Sequence, residues 1–109
     1  MELSKKDKKT AREIIEAGLQ QEFAKALFDV DTILTGWKNK SKNNRDAYHS
    51  LYKHIIDFDK HIARRYDGMT GSKYLFIIAA QLRDGVISEN DLSDLSDEVR
   101  QAIKMIADI

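Results

Sequence analysis

A ladder of apolar residues runs through the first third of the chain at intervals of three and four. Its members are Ile15, Leu19, Phe23, Leu27, Val30, Leu34 and Trp37. Residues at this spacing lie along one side of an α-helix. Their mean interval is about 3.67 residues, closer to the repeat of a straight helix than to the 3.5 of a left-handed coiled coil. Since the chain contains no proline, the pattern predicts one long helix from Ser4 to about Trp37.

Three further helical segments are predicted from polar caps that precede apolar repeats. The second helix covers about residues 45–66, after a cap at Asn43 or Asn44. Its apolar side consists of Tyr48, Leu51, Tyr52, Ile55, Phe58, Ile62 and Tyr66. Ser72 is the expected cap of a third helix that is apolar all round and therefore buried. Ser88 begins a short turn, and Ser96 begins the last helix.

These elements predict an all-α single domain that comprises residues 1–109. The expected architecture is a small helical bundle built on a long antiparallel helical hairpin, with a buried third helix and a short acidic C-terminal helical segment. A helix from Ser4 to Trp37 is roughly 50 Å long at 1.5 Å per residue, whereas a compact chain of this size is about 34 Å across. The helix must therefore overhang, bend or pack on another molecule. We expect the second helix to cover Phe23 and Leu27, and the Ile14–Ile15 end to need a partner, which is either a second copy of the chain or another protein.

Composition limits the classes of function. The formal net charge is zero, so bulk attraction to nucleic acid or to anionic membrane is not implied. Residues 1–73 contain 15 Lys or Arg against 11 Asp or Glu, whereas residues 74–109 contain 3 against 7. The chain has no cysteine, which fits a cytoplasmic protein, and its start does not resemble a secretion signal. The longest apolar run, Tyr74 to Ala80, is far shorter than the roughly 20 residues of a membrane span, so no membrane partner is expected.

One group of residues has the spacing of metal ligands. His54, Asp57 and His61 are three, four and seven residues apart and therefore share one face of the second helix. Imidazole and carboxylate groups at such spacing bind zinc in other proteins. Only three ligands are present, however, and Lys53 and Arg64 flank the face with positive charge. Solvated surface residues explain the pattern equally well, so neither a metal nor any other cofactor is predicted.

Two basic regions are the candidates for contact with an anion or with nucleic acid. The first is the polar loop after Trp37, and the second lies around Lys60–Arg65 and the glycine-containing loop that follows. The residues with suitable side chains are Lys38, Lys40, Lys42, Arg45, Arg64, Arg65, Ser72 and Lys73. In an antiparallel hairpin the two regions lie at opposite ends, so they do not form one continuous stripe. The sequence pI of about 6.8 is also below that of most nucleic-acid-binding domains.

No catalytic group of residues can be recognised. The chain has no cysteine nucleophile, and its serines occur mainly at helix caps. We therefore expect a small cytoplasmic interaction or adaptor protein that is not an enzyme and that binds another protein or a second copy of itself. The alternative is a nucleic-acid-associated regulatory protein that uses the basic patches around Lys38–Arg45 or Lys60–Arg65.

Overall fold

The described part of the chain folds into four α-helices. The computed structural model describes residues 2–108. The helices are α1 (Lys5–Lys38), α2 (Asn44–Tyr66), α3 (Tyr74–Arg83) and α4 (Asp97–Ala107), with 3-10 turns at Gly71–Lys73 and Glu89–Leu92. The all-α fold class and the long antiparallel hairpin are thus confirmed. α1 runs without interruption through Gly18, and the molecule measures 53 × 25 × 24 Å.

The first two helices begin where their capping residues predict. The Ser4 hydroxyl accepts a hydrogen bond of 3.0 Å from the backbone N–H of Asp7, and the Asn43 side chain accepts one of 2.8 Å from that of Asp46. Each bond satisfies an N–H group that has no partner inside its helix.

The predicted cap at Ser72 is wrong. Ser72 lies inside the 3-10 turn Gly71–Lys73, and its hydroxyl lies 3.0 Å from that of Thr70. α3 therefore begins at Tyr74 without a capping side chain. The other two expected starts are correct, because the 3-10 turn that follows Ser88 is closed by a reciprocal capping box with Asp91, and α4 begins directly after Ser96.

The buried core lies at one end of the molecule, which we call the head: residues 2–22 and 59–108. α3 packs between the first half of α1 and α4, and it is apolar on all sides as its sequence predicts. The buried apolar side chains here are Leu3, Ala11, Ile14, Ile15, Tyr74, Ile77, Ile78, Ala79, Ile87, Leu92, Leu95, Val99 and Ile103. The Ile14–Ile15 end of α1, expected to need a partner, is thus covered by the chain itself.

The rest of the hairpin, residues 23–58, projects from the head and is called the stem. No residue of α1 beyond Glu22 is buried, and Ala47 is the one buried residue of α2. The expectation that α2 covers Phe23 and Leu27 is therefore wrong. The physical reason is that one helix covers only one side of its neighbour, and the stem has no third helix to cover the rest.

A close helix crossing fixes α1 against α3 at Gly18. A Cβ atom placed on Gly18 would lie 2.4 Å from Nε2 and 2.8 Å from Cδ of Gln81. Gln81 is fully buried, and its amide donates to the backbone oxygen of Ile15 at 3.1 Å. Gly18 is therefore required by the close approach of α3.

A polar clasp joins the beginning of α1 to the beginning of α4. The buried carboxylate of Asp7 accepts a hydrogen bond of 3.0 Å from the backbone N–H of Ser96 and one of 2.8 Å from its hydroxyl. These bonds hold the pKa of Asp7 below its usual value, the backbone bond from Ser96 having the largest effect. The clasp connects residues that are 89 positions apart in sequence.

None of the helices within residues 2–108 contains a stretch that is long and apolar enough to cross a membrane.

Candidate interaction surface

Most of the large apolar side chains that the stem exposes lie along one side, Phe28 and Trp37 being outside this set. On α1 they recur at intervals of four and seven residues, and on α2 at intervals of four and three, so each set occupies one helix face. We call this set the stem face; it consists of Phe23, Leu27, Leu34, Tyr48, Tyr52 and Ile55. Leu27 is 68% exposed and Tyr48 is 69% exposed. Apolar side chains scattered singly on a surface are ordinary, but an aligned set of this size is typical of an interaction site.

A shallow apolar groove shows that both helices contribute to the same side. It has a volume of about 240 Å³ and runs between α1 and α2. Its lining consists of Phe23, Ala26, Leu27, Val30, His54, Ile55 and Phe58. Leu27 and Ile55 therefore open onto one surface, although 28 positions separate them in sequence.

Few contacts hold the two stem helices together. The rings of Phe23 and Phe58 meet edge to face with 5.4 Å between their centroids. At the tip of the hairpin, the Trp37 indole N–H donates to the side-chain oxygen of Asn44 at 2.7 Å. The two helices thus align with each other but leave the outer edges of both apolar stripes uncovered.

A charged cluster lies where the stem joins the head, and Glu22 is its centre. The carboxylate of Glu22 accepts hydrogen bonds from His61 Nε2 at 2.7 Å, from Arg65 Nη1 at 2.9 Å and from the Tyr66 hydroxyl at 2.5 Å. Arg65 also forms an ion pair with Asp84 through its other terminal nitrogen. We call these five residues the Glu22 cluster. It connects α1, α2 and the end of α3 and so sets the direction in which the stem leaves the head.

Tyr66 and Gln81 extend this network into the core. Burial, and then the hydrogen bond to Glu22, raise the pKa of Tyr66 to about 12, so its hydroxyl remains a donor at neutral pH. The same hydroxyl accepts a hydrogen bond of 2.9 Å from Nε2 of Gln81. Sequence analysis missed both Glu22 and Gln81. The signal was a second stripe on α1, in which Ala11, Ile15, Gly18 and Glu22 follow one another at intervals of four, three and four.

The three candidate metal ligands have separate partners. His54 Nε2 lies 3.2 Å from the backbone oxygen of Ala26, and His61 is bonded to Glu22. Asp57 accepts a hydrogen bond of 2.5 Å from Lys53, which lowers its pKa. Across residues 2–108, no group of three His, Asp or Glu side chains is placed to hold a metal ion.

The candidate anion-binding residues are distributed over two ends of the molecule, as the hairpin geometry predicts. At the tip, the side chains of Lys38, Lys40, Lys42 and Arg45 are exposed. Near the head, Arg64, Ser72 and Lys73 are exposed, whereas Arg65 is turned inward to Glu22 and Asp84. The structure therefore removes Arg65 from the second basic patch and leaves the tip as the denser one.

Comparison with known proteins identifies the fold. No family model matches the sequence, and no curated protein matches it. The solved structure of the Fluorescence Recovery Protein from Synechocystis sp. PCC 6803 superposes with a TM-score of 0.81. The match covers 98% of this chain and 99% of that chain at 20% sequence identity. The whole chain, head and stem together, thus has the fold of that helical protein.

Proposed function

We propose that this chain is a small cytoplasmic interaction protein without catalytic activity of its own, which works as a homodimer joined through the stem face. The exposure of Leu27, Tyr48 and the other stem-face residues supports this proposal most strongly. The structural similarity of this chain to the Fluorescence Recovery Protein, a small helical protein, is compatible with an interaction role.

A second copy is the simplest partner for the stem face. Two helices side by side bury too little apolar surface to be stable, and most helices in proteins depend on tertiary packing. Two stems placed face to face make a four-helix bundle, in which each apolar stripe meets another. Such an interface uses the same patch on both copies, as twofold symmetry requires.

Aromatic side chains suit the stem face for this role. Phe23, Tyr48 and Tyr52 supply large contact areas, and tyrosine is enriched among the residues that dominate binding energy. A tyrosine at the edge of such an interface keeps its hydroxyl in water while its ring is buried. We therefore expect Tyr48 and Tyr52 to lie near the rim and Leu27 near the centre.

A charge in the centre of the stem face tests the proposal. We expect Leu27→Glu to convert the protein from dimer to monomer, because two buried carboxylates would face each other across the symmetry axis. The measurement is molar mass by light scattering during size-exclusion chromatography, over a range of protein concentrations. The wild-type mass should approach twice the chain mass of 12.5 kDa, and that of the variant should remain at the chain mass.

Phe28→Glu is the matched control. Phe28 is the next residue and is 73% exposed, but it lies about 200° around the helix from Ala26, which faces α2. The same charge at Phe28 should leave the dimer intact. A wild-type protein that stays monomeric at the highest concentration, or equal effects of the two substitutions, would contradict the proposal.

One observation favours the alternative, a nucleic-acid-associated regulatory protein. The four basic side chains at the hairpin tip are exposed next to Trp37, which is itself partly exposed and could stack on a base. Binding to mixed single-stranded and duplex DNA, titrated with salt, tests this alternative, because phosphate contacts weaken steeply as salt rises. Absence of binding at low salt would eliminate it.

A further inference from the structure

A second groove lies at the base of the stem, where it shares only Ala26 and Phe58 with the apolar groove of the stem face. It is bounded by α1, by the second half of α2 and by the turn after α3, and its volume is about 540 Å³. Ligand sites commonly have volumes of about 300–1,000 Å³ and combine apolar walls with a few converging polar groups. The apolar part of this groove is formed by Ala26, Phe58 and Val86.

Six ionisable side chains line the groove, and five of them are carboxylates, lysine or arginine with a fixed charge at neutral pH. Lys25 and Asp29 form an ion pair of 3.2 Å and balance each other. Arg65 is shared between two carboxylates, those of Glu22 and Asp84. The fixed charges of Glu22, Asp84 and Arg65 therefore sum to one net negative charge.

Burial makes this imbalance significant. The side chains of Glu22 and Arg65 are only 9% and 10% exposed, so water screens their charges weakly. The Asp84 side chain is 51% exposed and reaches the groove from the C-terminal end of α3. The C-terminal end of the α3 dipole adds partial negative charge at the same place, although the turn after α3 donates hydrogen bonds to the carbonyl groups of Ala80, Gln81 and Leu82. The electrostatic field in the groove therefore favours a cation beside Asp84.

The turn next to Asp84 leaves room for such a group. Gly85 has a φ of +72°, and a Cβ atom placed on it would have no neighbour within 4 Å. Space is thus open at the residue that follows Asp84, while the ring of Phe58 and the side chain of Val86 offer an apolar surface along the groove.

We propose that this groove receives an arginine side chain of a partner protein, with the guanidinium beside Asp84 and the aliphatic part against Phe58 and Val86. Arginine suits the site because its planar guanidinium pairs with carboxylates and stacks on aromatic rings. The inference rests on the proposed interaction function, since it names a chemical feature of the partner. It does not depend on which surface joins two copies of this chain.

A pair of matched small probes tests the inference on the full chain. Butylguanidinium carries the charge and shape of an arginine end, and N-butylurea has nearly the same shape without the charge. We expect butylguanidinium to shift the amide NMR signals of Asp84, Gly85 and Val86, saturating at concentrations on the order of millimolar, as is usual for a fragment of this size. N-butylurea should bind at least fivefold more weakly.

A charge-removing variant sharpens the test. Asp84→Asn should weaken butylguanidinium binding at least fivefold, whereas Asp94→Asn, the same change on the head but outside the groove, should leave it unaltered. Equal shifts from the two probes, or shifts that do not centre on the groove, would overturn the inference. The probe comparison uses wild-type protein, so it decides the matter even if Asp84→Asn fails to fold. Light scattering on the same sample measures the oligomeric state separately, so a failure of the arginine-site inference can be told apart from a failure of the homodimer proposal.

Discussion

The head and the stem use the same kind of amphipathic helix but reach different degrees of burial. In the head, α1 packs on α3, which packs in turn on α4, and Ile15, Ile78 and Ile103 are almost completely removed from water. In the stem, the same helix meets α2 alone, and Leu27 and Ile55 remain exposed. The comparison teaches that a regular apolar stripe predicts a helix and its facing side, whereas burial of that side depends on how many other elements reach it.

The polar contacts of the head and of the stem differ in the sequence distance that they span. The head is connected by contacts between distant parts of the chain, such as Asp7 with Ser96 and Gln81 with Ile15. Ion pairs in the stem are local, as in Lys25–Asp29 and Lys53–Asp57, each four residues apart on one helix. Exposed pairs of this type contribute only about 0.3–0.5 kcal/mol each. The stability of the stem therefore depends on burial of its apolar face by another surface.

The largest expected difference between head and stem is in their response to removal of isoleucine side-chain volume. Ile78→Ala should lower the free energy of unfolding by about 2–5 kcal/mol, since Ile78 is fully buried and its loss leaves a cavity. Ile55→Ala should cost less than about 1 kcal/mol at submicromolar concentration, because Ile55 is 46% exposed in the single chain. Urea unfolding followed by circular dichroism measures both. Equal losses would contradict the division into head and stem.

The clasp between α1 and α4 should make head stability depend on acid. A carboxylate whose folded-state pKa is lowered stabilises the fold above its ordinary pKa of 3.8, and this contribution is lost as the pH falls through the lower folded value. Asp7→Asn should reduce the free energy of unfolding by about 1–3 kcal/mol at pH 7, the range for hydrogen bonds to a charged group.

Unfolding at several pH values provides the measurement for the clasp. The gap between wild type and Asp7→Asn should shrink once the pH falls below 3.8. Asp94→Asn, an exposed acid on the head, should show no such gap. A difference that is independent of pH would mean that Asp7 acts through shape and not through charge.

The smallest of these effects concerns one glycine in each region. Gly18→Ala should destabilise the head by about 1 kcal/mol, because the added methyl group displaces the buried Gln81 amide and this cost exceeds the gain in helix propensity. Gly36→Ala in the stem meets only the exposed Ser41 hydroxyl at 3.3 Å and should stabilise the helix by up to about 1 kcal/mol. Opposite signs in thermal unfolding are the expected result. The same sign for both would show that the crossing at Gly18 is looser than described.

Apart from the cap at Ser72, the local features of the fold could be predicted from the sequence, whereas the contacts between distant side chains could not. The caps at Ser4 and Asn43 and the apolar third helix depend on neighbouring residues, so their patterns predict them correctly. The error about Phe23 and Leu27 arose because the sequence does not say which half of α1 receives α3. The partners of Glu22 and Asp7 come from positions 39–89 residues away, and no periodic pattern encodes such pairs.

The stem face was predictable in part, because its residues follow a local spacing but their exposure depends on the whole fold. The apolar intervals from Phe23 to Leu34 identify the residues of the stem face, but only the fold shows that they are left uncovered. The groove at the Glu22 cluster was not predictable, because it requires α1, α2 and the turn after α3 to meet. The sequence clue to a second contact surface was the stripe on α1 formed by Ala11, Ile15, Gly18 and Glu22, which share one helix face.

Hydrogen exchange of the wild-type protein as a function of concentration tests the central claim most directly. If a second copy covers the stem face, amides in residues 47–58 should exchange slowly in concentrated solution and much faster on dilution. Amides of α3 should exchange slowly at every concentration, because the head is covered by its own chain. Stem amides that are protected as strongly as those of α3 at the lowest concentration, or that exchange rapidly at the highest, would contradict the account.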